Sequence, residues 1–295
     1  MPSSIPFRRA AIIGTGLIGG SFGLALRRHF PEVAISGFDR ADVLQRAIAR
    51  GAAQQAAPTI EDAVRGADLI YIALPIGATT AALSAIAAAA GTEALVTDSC
   101  SAKAIICKEA AAHFKKAARF IGGHPMAGKE ISGIDNADAE LFAGAAYALI
   151  GSEESETSDP RARNFVELIR AFGAKPVWCD AETHDWAVGI VSHLPQLLAV
   201  ALARTVSNEL DETGLPLTLA GKGLQDMLRL AGSPYSVWRD VFIANRENVS
   251  RAVDRLGQEI DHLRRSLSSK ELEEEFRAAN ELFALLHNKE QKTER

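Results

Sequence analysis

The residue of this chain best suited to acid–base chemistry is His124, which stands between glycines. It lies in IGGHPMAGKEISG, residues 121–133, after a short apolar run, and the segment shows neither helical nor strand periodicity. We therefore predict that His124 and Pro125 lie in a loop. Glycines allow close approach to a ligand, and such a histidine can exchange a proton near neutral pH. Taken alone, the segment favours a structural turn whose histidine only hydrogen-bonds its neighbours.

Two further groups in the second half of the chain could take part in chemistry. His193 lies in SHLPQ, in the most apolar helical run, where a histidine is usually a satisfied core residue. Pro195 predicts a helix start or kink there, which would free backbone groups and open a pocket. Asp226 and Arg229 are three residues apart on one predicted helix and can pair. That arginine could clamp a carboxylate or form an ordinary surface ion pair, and both remain open.

The stretch GTGLIG would place a cofactor beside these groups. A buried-strand run at residues 10–13 leads into it, a helix follows, and a second strand at residues 33–38 ends at Asp39. This arrangement is typical of a dinucleotide-binding unit, with the helix N-terminus facing the pyrophosphate. Asp39 favours NAD over NADP, although the neighbouring Arg40 could accept a 2′-phosphate. The predicted cofactor-binding residues are Gly14, Gly16, Leu17, Ile18, Gly19, Asp39, Arg40, Leu74, Pro75 and Asp98.

Strands and helices alternate as far as Cys179, which predicts an α/β Rossmann-type doubly wound parallel sheet. Strands are predicted at residues 10–13, 33–38, 68–74, 94–97, 118–121, 145–150 and 175–179. Ligands of such sheets bind at the carboxyl ends of the strands. Residues 74–75, 98–103 and 122–128 lie at such ends, so we expect them to converge on one crevice near a nicotinamide. Within this crevice, Ser101 could orient a catalytic histidine, cap the following helix, or do both.

The pattern changes after Asp180. From residue 182 only helical periods are found, at residues 184–210, 217–230, 234–267 and 270–287. We therefore predict a dinucleotide-binding domain over residues 1–181 and an all-α dimerisation and substrate domain over residues 182–295. Several of these helices are apolar on more than one face, which predicts a homodimer formed by this half.

Composition argues against several classes of protein. Of 295 residues, 47% are hydrophobic and 23% charged, as is ordinary for globular proteins. A net charge of −5 without a basic stripe argues against nucleic acid. With neither an apolar signal core nor a run of about 20 apolar residues, we expect no membrane span and a cytoplasmic location. The three cysteines lack metal or disulfide spacing, so we expect no metal and a reducing compartment.

In combination, these motifs resemble those of the prephenate/arogenate dehydrogenases of tyrosine biosynthesis. The resemblance covers essentially the whole chain. It rests on GTGLIGGSFGLAL with GFDR, TDSCSAK, GGHPMAGKEISG with ADAELFAGAAY, HDWAVGIVSHLPQ, and GLQDMLRLAGSPYSVWRD. The glycine motif is common among oxidoreductases, whereas HPMAG followed by SHLP and D-M-x-R is specific in combination.

The resemblance implies NAD-dependent oxidative decarboxylation of a cyclohexadienol that carries two carboxylates. A hydride leaves the ring carbon bearing the hydroxyl, the ring carboxylate leaves as CO2, and the ring becomes aromatic. His124 matches the family's catalytic histidine, which deprotonates that hydroxyl, so activity should rise with pH through its pKa. Ser101 matches the serine that orients this histidine and the nicotinamide.

The resemblance also implies residues that bind the substrate. Arg229 matches an arginine that binds a substrate carboxylate, and His193 matches a second substrate-binding histidine. Glu130 and Asp226 match acids that form a gating ionic network with the arginine. Trp238 matches a tryptophan that, in relatives, reaches the site from the partner subunit.

Some positions depart from the family's common pattern near the substrate side chain. Lys129 stands where relatives often carry Ser or Thr, Gln225 and Leu228 replace the Arg and Thr of FRDMTR, and SHLPQ replaces SHLPH. Because Lys129 would suit an extra carboxylate, we include it among the substrate-binding residues and predict prephenate as substrate. The alternative is an arogenate or dual cyclohexadienyl dehydrogenase. More distant alternatives are a β-hydroxyacid or imine dehydrogenase and an NAD-binding protein without turnover.

Overall fold

The computed structural model describes residues 6–114, 118–210 and 213–291, with side chains as far as residue 287. The chain divides into two compact units, Met1–Arg246 and Glu247–Arg295. The predicted division between residues 181 and 182 rests on the change from alternating to helical structure, and it stays a prediction.

The first unit is built on a six-stranded sheet with the order β3-β2-β1-β4-β5-β6, in which all paired strands are parallel. Its strands are β1 (Arg9–Ile13), β2 (Ala34–Phe38), β3 (Gln55–Ala56), β4 (Leu69–Ile72), β5 (Leu95–Asp98) and β6 (Arg119–Ile121). The strand order reverses between β1 and β4, and such a reversal opens a ligand crevice at the carboxyl ends. The predicted Rossmann-type doubly wound sheet is confirmed.

Both faces of this sheet are buried, because successive side chains on a strand point to opposite faces. Ile12 and Tyr71 belong to one core with α1 and α7, whereas Ile13 and Ile72 belong to the other with α3 and α4. The helices of this part are α1 (Leu17–His29), α2 (Ala41–Ala49), α3 (Ile60–Val64), α4 (Ile76–Ala89), α5 (Ala104–His113), α6 (Glu153–Glu156) and α7 (Pro160–Ala171).

A second, three-stranded sheet carries His124. Its strands are β7 (Gly123–Pro125), β8 (Ala146–Ile150) and β9 (Lys175–Cys179), with β7 antiparallel to β8 and β8 parallel to β9. The prediction that His124 and Pro125 lie in a loop was therefore wrong, because a strand of three residues is too short to show a periodic pattern. The last two predicted strands, at residues 145–150 and 175–179, correspond to β8 and β9, so they belong to this second sheet and do not extend the first.

The rest of the described chain is helical, as predicted, but the helices are shorter. They are α8 (Ala181–Val188), α9 (Leu194–Asn208), α10 (Leu215–Thr218), α11 (Lys222–Leu228), α12 (Tyr235–Ala244), α13 (Arg246–Ser266) and α14 (Glu271–Gln291). A π-helical turn, Gly189–His193, joins α8 to α9. Pro195 follows this turn at once, and a proline has no N–H for the usual helical hydrogen bond. The predicted break at Pro195 is thus a change of helix type.

The continuous helical stretch Ala181–Asn208 has 28 residues and a mean hydropathy of 1.6 over its most apolar window. By length and composition it could cross a membrane, so the prediction that no run of this kind exists was wrong. The core helix of a soluble protein has the same properties. This stretch carries four buried polar side chains, His184, Asp185, His193 and Gln196. Because only 28% of its most apolar window is buried, we interpret it as a helix of the first unit that buries these polar side chains and leaves apolar ones exposed.

Candidate active site

The glycine-rich turn between β1 and α1 leaves room for a ligand at one of its three glycines. Gly14 has a φ of +93°, and a Cβ there would lie 2.5 Å from the carbonyl oxygen of Ala73. A Cβ at Gly19 would lie 1.8 Å from the carbonyl oxygen of Gly14, so both positions require glycine. A Cβ at Gly16 would meet no atom within 4 Å. It would instead occupy the space in front of α1 where a pyrophosphate approaches the backbone. The turn therefore fits a dinucleotide.

The other predicted cofactor residues surround this turn. The Thr15 amide donates a 2.7 Å hydrogen bond to Asp39 Oδ2, and the Arg40 amide donates one of 2.7 Å to Oδ1. Oδ2 also accepts a 3.3 Å bond from the Thr15 hydroxyl. These bonds hold the carboxylate beyond β2, while Oδ1 keeps a lone pair for a ribose hydroxyl. Leu74 is half-buried beside the turn, and the exposed Pro75 precedes α4.

The helix that follows the turn supplies two further predicted cofactor residues. Leu17 begins α1, and Ile18 packs against the core on one face of the sheet. The first turn of α1 contains no acidic side chain, so the partial positive charge of the helix N-terminus is available to a phosphate. The residues present thus fit NAD.

Asp98, at the end of β5, was predicted to contact the cofactor, but the structure places it inside the protein. It forms an ion pair with Lys103, and neither side chain has accessible surface. Asp98 Oδ1 accepts a 3.2 Å bond from the Gly123 amide, while the Lys103 ammonium donates a 2.7 Å bond to the Gly123 carbonyl. These bonds fix Gly123, the residue before His124. Because the Asp98 carboxylate is enclosed by protein, it cannot reach a ligand.

His124 is the first member of a buried chain of polar side chains. Its Nδ1 lies 2.9 Å from Nε2 of His184, and Nδ1 of His184 lies 2.8 Å from Oδ1 of Asp185. Asp185 also accepts bonds from the backbone amides of Lys103, at 2.7 Å, and Ala104, at 2.9 Å. His124 itself is only 7% exposed. The elements that converge here are β7, the start of α5 and the first turns of α8.

Sequence reasoning missed His184 and Asp185, although both stand in the quoted motif HDWAVGIVSHLPQ. His184 lies 60 positions from His124 along the chain, so no local pattern links the two. The available signal was the adjacent pair of a histidine and an aspartate in the helix that follows the N-cap Asp180.

Burial sets the charge of His124. Desolvation lowers the pKa of its imidazole well below the ordinary value of 6.5, and the neighbouring His184, Lys103 and His193 act in the same direction. Burial also lowers the pKa of His193 to about 4. Both imidazoles are therefore neutral near pH 7, which is the state in which a histidine can accept a proton.

His193 and Gln196 each leave one buried atom unused. The Asn245 side-chain amide lies 3.2 Å from Nδ1 of His193, and the Gln196 amide donates a 2.9 Å bond to the Leu230 carbonyl. Among the described residues, neither His193 Nε2 nor Gln196 Oε1 has a hydrogen-bond partner. Buried polar atoms in proteins are rarely left unpaired, so these two suit a bound ligand or a water molecule.

Trp238 packs against His193 of its own chain, with ring centroids 5.9 Å apart and the planes at 83°. The resemblance implied a tryptophan that reaches the site of the other subunit. The intrachain position follows from α12, whose Val241 packs with Ile76 and whose Asp240 accepts a 3.3 Å bond from the Gly77 amide.

Glu130 and Arg229 form an ion pair, with side chains 41% and 62% exposed. Asp226 does not join them and pairs instead with Lys222, at 2.8 Å. The predicted pairing of Asp226 with Arg229 was wrong, because each of the two side chains pairs with a different residue.

Lys129 and Ser101 also differ from prediction. The Lys129 ammonium donates a 3.1 Å bond to the Asn136 carbonyl and lies 3.5 Å from Asp138 Oδ2, so its charge is already compensated. Ser101 is half-buried, and no hydrogen bond between described residues joins it to His124. Ser101 does not cap α5 either, because the Asp185 carboxylate accepts the hydrogen bonds of the first backbone amides of that helix.

The family comparisons divide the chain into two matched segments. Residues 22–177 match the nucleotide-binding domain of prephenate dehydrogenase, and residues 180–285 match the dimerization domain of prephenate dehydrogenase. The chain is also 34% identical over 258 residues to the prephenate dehydrogenase of Lactococcus lactis subsp. cremoris. That alignment covers 87% of this chain and 70% of the relative.

Two solved structures are similar over nearly the whole chain. One is prephenate dehydrogenase from A. aeolicus in complex with hydroxyphenyl propionate and NAD+, with a TM-score of 0.87, 26% identity, and 96% of this chain and 100% of the other covered. The second is Synechocystis arogenate dehydrogenase, with a TM-score of 0.74, 26% identity, and 96% and 99% covered. Similar structures thus belong to enzymes named for two different substrates.

Proposed function

We propose that this chain, which belongs to the prephenate dehydrogenase family and is therefore an NAD-dependent oxidoreductase of tyrosine biosynthesis, oxidatively decarboxylates prephenate to 4-hydroxyphenylpyruvate. The observation that carries this proposal is the environment of His124. This histidine is buried, has a lowered pKa, and lies one residue beyond the contact that ties Gly123 to the carboxyl end of β5. A neutral base at that edge of a dinucleotide-binding sheet is where the reaction needs one.

The residues of the chain supply the base and the carboxylate anchor of the reaction. His124 takes the proton of the ring hydroxyl as the carbonyl begins to form at that carbon. NAD, when bound, accepts the hydride from the same carbon. The electrons of the bond to the leaving carboxylate enter the ring, which becomes aromatic as CO2 departs. Arg229 anchors the side-chain carboxylate, and Glu130 competes for the arginine when no substrate is bound.

Support for prephenate over arogenate comes from the relatives and no longer from Lys129. Lys129 is compensated by Asp138, so its charge gives no preference for an additional carboxylate. The Lactococcus relative, at 34% identity, is named for prephenate.

One observation favours arogenate as a second candidate. The Gln196 amide nitrogen donates to the Leu230 carbonyl, which leaves Oε1 as a buried acceptor without a partner among the described residues. An ammonium group carries donors that such an oxygen accepts, and the keto group of prephenate carries none. A dual cyclohexadienyl dehydrogenase would accept both the keto group of prephenate and the ammonium group of arogenate at this position.

The proposal includes a homodimer formed by the helical half and a cytoplasmic location. Within the chain only 28% of the most apolar window of Ala181–Asn208 is buried. Val191, Ile243, Leu267 and Phe276 are each more than 60% exposed in the region that matches a dimerization domain. A second copy of the chain would cover such apolar side chains.

The test is a steady-state comparison of the full chain with prephenate and arogenate, each with NAD and NADP, in which reduced cofactor and CO2 are both measured. The His124→Asn variant gives the background of each assay. We expect equal amounts of NADH and CO2 from prephenate, with NAD preferred. A higher kcat/KM for arogenate would favour the second candidate. NADH formed only from simple hydroxyacids, or NAD binding without turnover of either substrate, would contradict the proposed function.

A further inference from the structure

The carboxylate of Asp185 receives three N–H donors at the start of α5 and α8. They are the backbone amides of Lys103 and Ala104 and the ring Nδ1 of His184, at 2.7 to 2.9 Å. An ionised carboxylate can only accept hydrogen bonds. Burial raises the pKa of this carboxyl, but the bonds from His184 and the two amides outweigh it and lower the pKa overall. Asp185 is therefore ionised at neutral pH, and His184 carries a hydrogen on Nδ1.

This hydrogen determines the state of the next nitrogen along the chain. A neutral imidazole with its hydrogen on Nδ1 has a lone pair on Nε2. Nε2 of His184 lies 2.9 Å from Nδ1 of His124, so with a neutral His184 the hydrogen between them belongs to His124. A neutral His124 that carries its hydrogen on Nδ1 has a lone pair on Nε2.

We propose that Asp185 and His184 are positioning residues that hold His124 in the Nδ1-protonated tautomer, so that Nε2 is the atom that accepts the proton of the substrate hydroxyl. The identity of the proton donor rests on the proposed function. The tautomer itself rests only on the geometry of the three side chains.

The opposite arrangement fails on hydrogen bonding. If His124 carried its hydrogen on Nε2 while His184 kept its own on Nδ1, two lone pairs would face each other across 2.9 Å in a buried site. If His184 moved its hydrogen to Nε2, the Asp185 oxygen would lose a donor at 2.8 Å. Each change leaves buried polar atoms unpaired, which is costly in a site shielded from water.

The charged and titratable groups around His124 come from four elements. They are Asp98 at the end of β5, Lys103 before α5, His184 and Asp185 on α8, and His193 on the π-helical turn. Asp98 and Lys103 neutralise each other. When His124 gains the substrate proton, the hydrogen bond to His184, which is itself bonded to the Asp185 carboxylate, stabilises the new positive charge. The same hydrogen bonds thus select the tautomer before the proton moves and stabilise the cation afterwards.

The position of Asp185 is itself fixed from two sides. Its side chain caps the first amides of α5, where the helix N-terminus favours a negative charge. Its backbone carbonyl accepts a 2.6 Å bond from the Asn245 side-chain amide. The carboxylate therefore cannot turn away from His184 without uncapping α5.

Nitrogen NMR of the full chain labelled with ¹⁵N-histidine reads the tautomer directly. The His124 signals are identified by their loss in His124→Asn. We expect a protonated Nδ1 and an unprotonated Nε2 in the wild-type protein at pH 7. A hydrogen on Nε2 of His124 would overturn the inference. This measurement needs no turnover, and it does not depend on any substitution at His184 or Asp185.

Two substitutions at His184 separate positioning from support of the fold. His184→Asn keeps a donor for Asp185 but removes the acceptor for His124, whereas His184→Gln can present a carbonyl oxygen near the position of Nε2. We expect kcat to fall at least about tenfold in His184→Asn, with mixed His124 tautomers and KM values within about twofold, and to recover partly in His184→Gln. His113→Asn, the same change at an exposed histidine that ends α5, is the matched control and should keep wild-type kcat.

A His124 tautomer and kcat that stay unchanged in His184→Asn would contradict the inference. A protonated Nδ1 in a wild-type protein that turns over neither prephenate nor arogenate would support the positioning roles and contradict the proposed function. The two failures are thus distinguishable.

Discussion

Two ion pairs involve the segment 121–133 that carries His124, and their surroundings are opposite. Asp98 and Lys103, the inner pair, have no accessible surface, whereas Glu130 and Arg229, the outer pair, have side chains 41% and 62% exposed. The inner pair also binds both the amide and the carbonyl of the residue before His124. The outer pair joins an irregular segment to the start of a 3-10 turn.

This difference suits the two pairs to different roles, the buried pair to holding His124 in place and the exposed pair to binding a substrate. A buried pair is strongly coupled, because removal of either partner leaves an uncompensated charge, so it fixes the backbone that carries the base. An exposed pair contributes about 0–1 kcal/mol and is easily exchanged for another partner. The segment of His124, the proposed base, is thus held rigidly, while the exposed Arg229 is able to exchange Glu130 for another carboxylate.

The largest effect is expected at the base itself. His124→Asn should lower kcat by about 10²- to 10⁴-fold, because the general base is lost. NAD affinity should stay near wild type, because the glycine-rich turn is untouched. Steady-state rates and NAD titration by fluorescence quenching measure the two quantities. An unchanged rate would remove His124 from the reaction.

The inner ion pair should dominate stability. Lys103→Met leaves the Asp98 carboxylate buried without its partner, which should lower the free energy of unfolding by roughly 3–5 kcal/mol. Lys222→Met removes the same side chain from the exposed pair with Asp226 and should cost less than about 1 kcal/mol. Denaturant unfolding of both variants checks the contrast, and equal losses would contradict it.

The buried histidines should make stability sensitive to acid. The pKa of His193 falls from 6.5 in the unfolded chain to about 4 in the fold, so the unfolded state binds more protons between these values. Stability should therefore fall as the pH drops from 6.5 to about 4, by up to roughly 3 kcal/mol from this residue. Unfolding measured across this range, with His193→Asn as comparison, tests it. If the free energy of unfolding fell equally steeply with pH in His193→Asn, the effect would belong to other residues.

The outer pair should govern binding. Arg229→Ala should raise KM for the substrate by about 10- to 100-fold and lower kcat less, since a charge-assisted bond to a carboxylate is lost in the ground state as well. Arg229→Lys keeps the charge without the planar fork and should give an intermediate KM. A fall in kcat that exceeds the rise in KM would mean that the arginine acts mainly in the transition state.

The smallest effect is expected at Glu130. Glu130→Gln removes the negative charge of the exposed pair, and such pairs contribute less than about 1 kcal/mol, so KM should change by less than about fivefold. The direction should be towards tighter binding, because the substrate no longer competes with a carboxylate for Arg229. Michaelis constants at low and high salt measure both points, and weaker binding would mean that Glu130 helps to hold the substrate.

The Rossmann-type core could be predicted because its signals are local. Gly14 and Gly19 are required by contacts within the turn itself, and the alternation of strands and helices follows the burial of both sheet faces. The short strand that carries His124 could not be predicted. It is defined by pairing with Ala148, which is 24 positions away, and not by its own pattern.

The site was harder to predict because it depends on the direction of side chains. Asp226 and Lys129 have the expected types of partner but pair with other residues, Lys222 and Asp138. His184 and Asp185 join His124 only when α8 packs against the start of α5, which no spacing along the chain reveals.

The bonds of Asp185 have a consequence for the order of events during folding. They join residues separated by 82, 81 and 60 positions along the chain. Contacts between such distant residues form slowly, after local helices and hairpins. The helices can wind while His124 still lacks its neighbours, so a refolding chain should regain its helical circular dichroism before it regains turnover. Enzymatic activity is thus the later and stricter sign that this chain has finished folding.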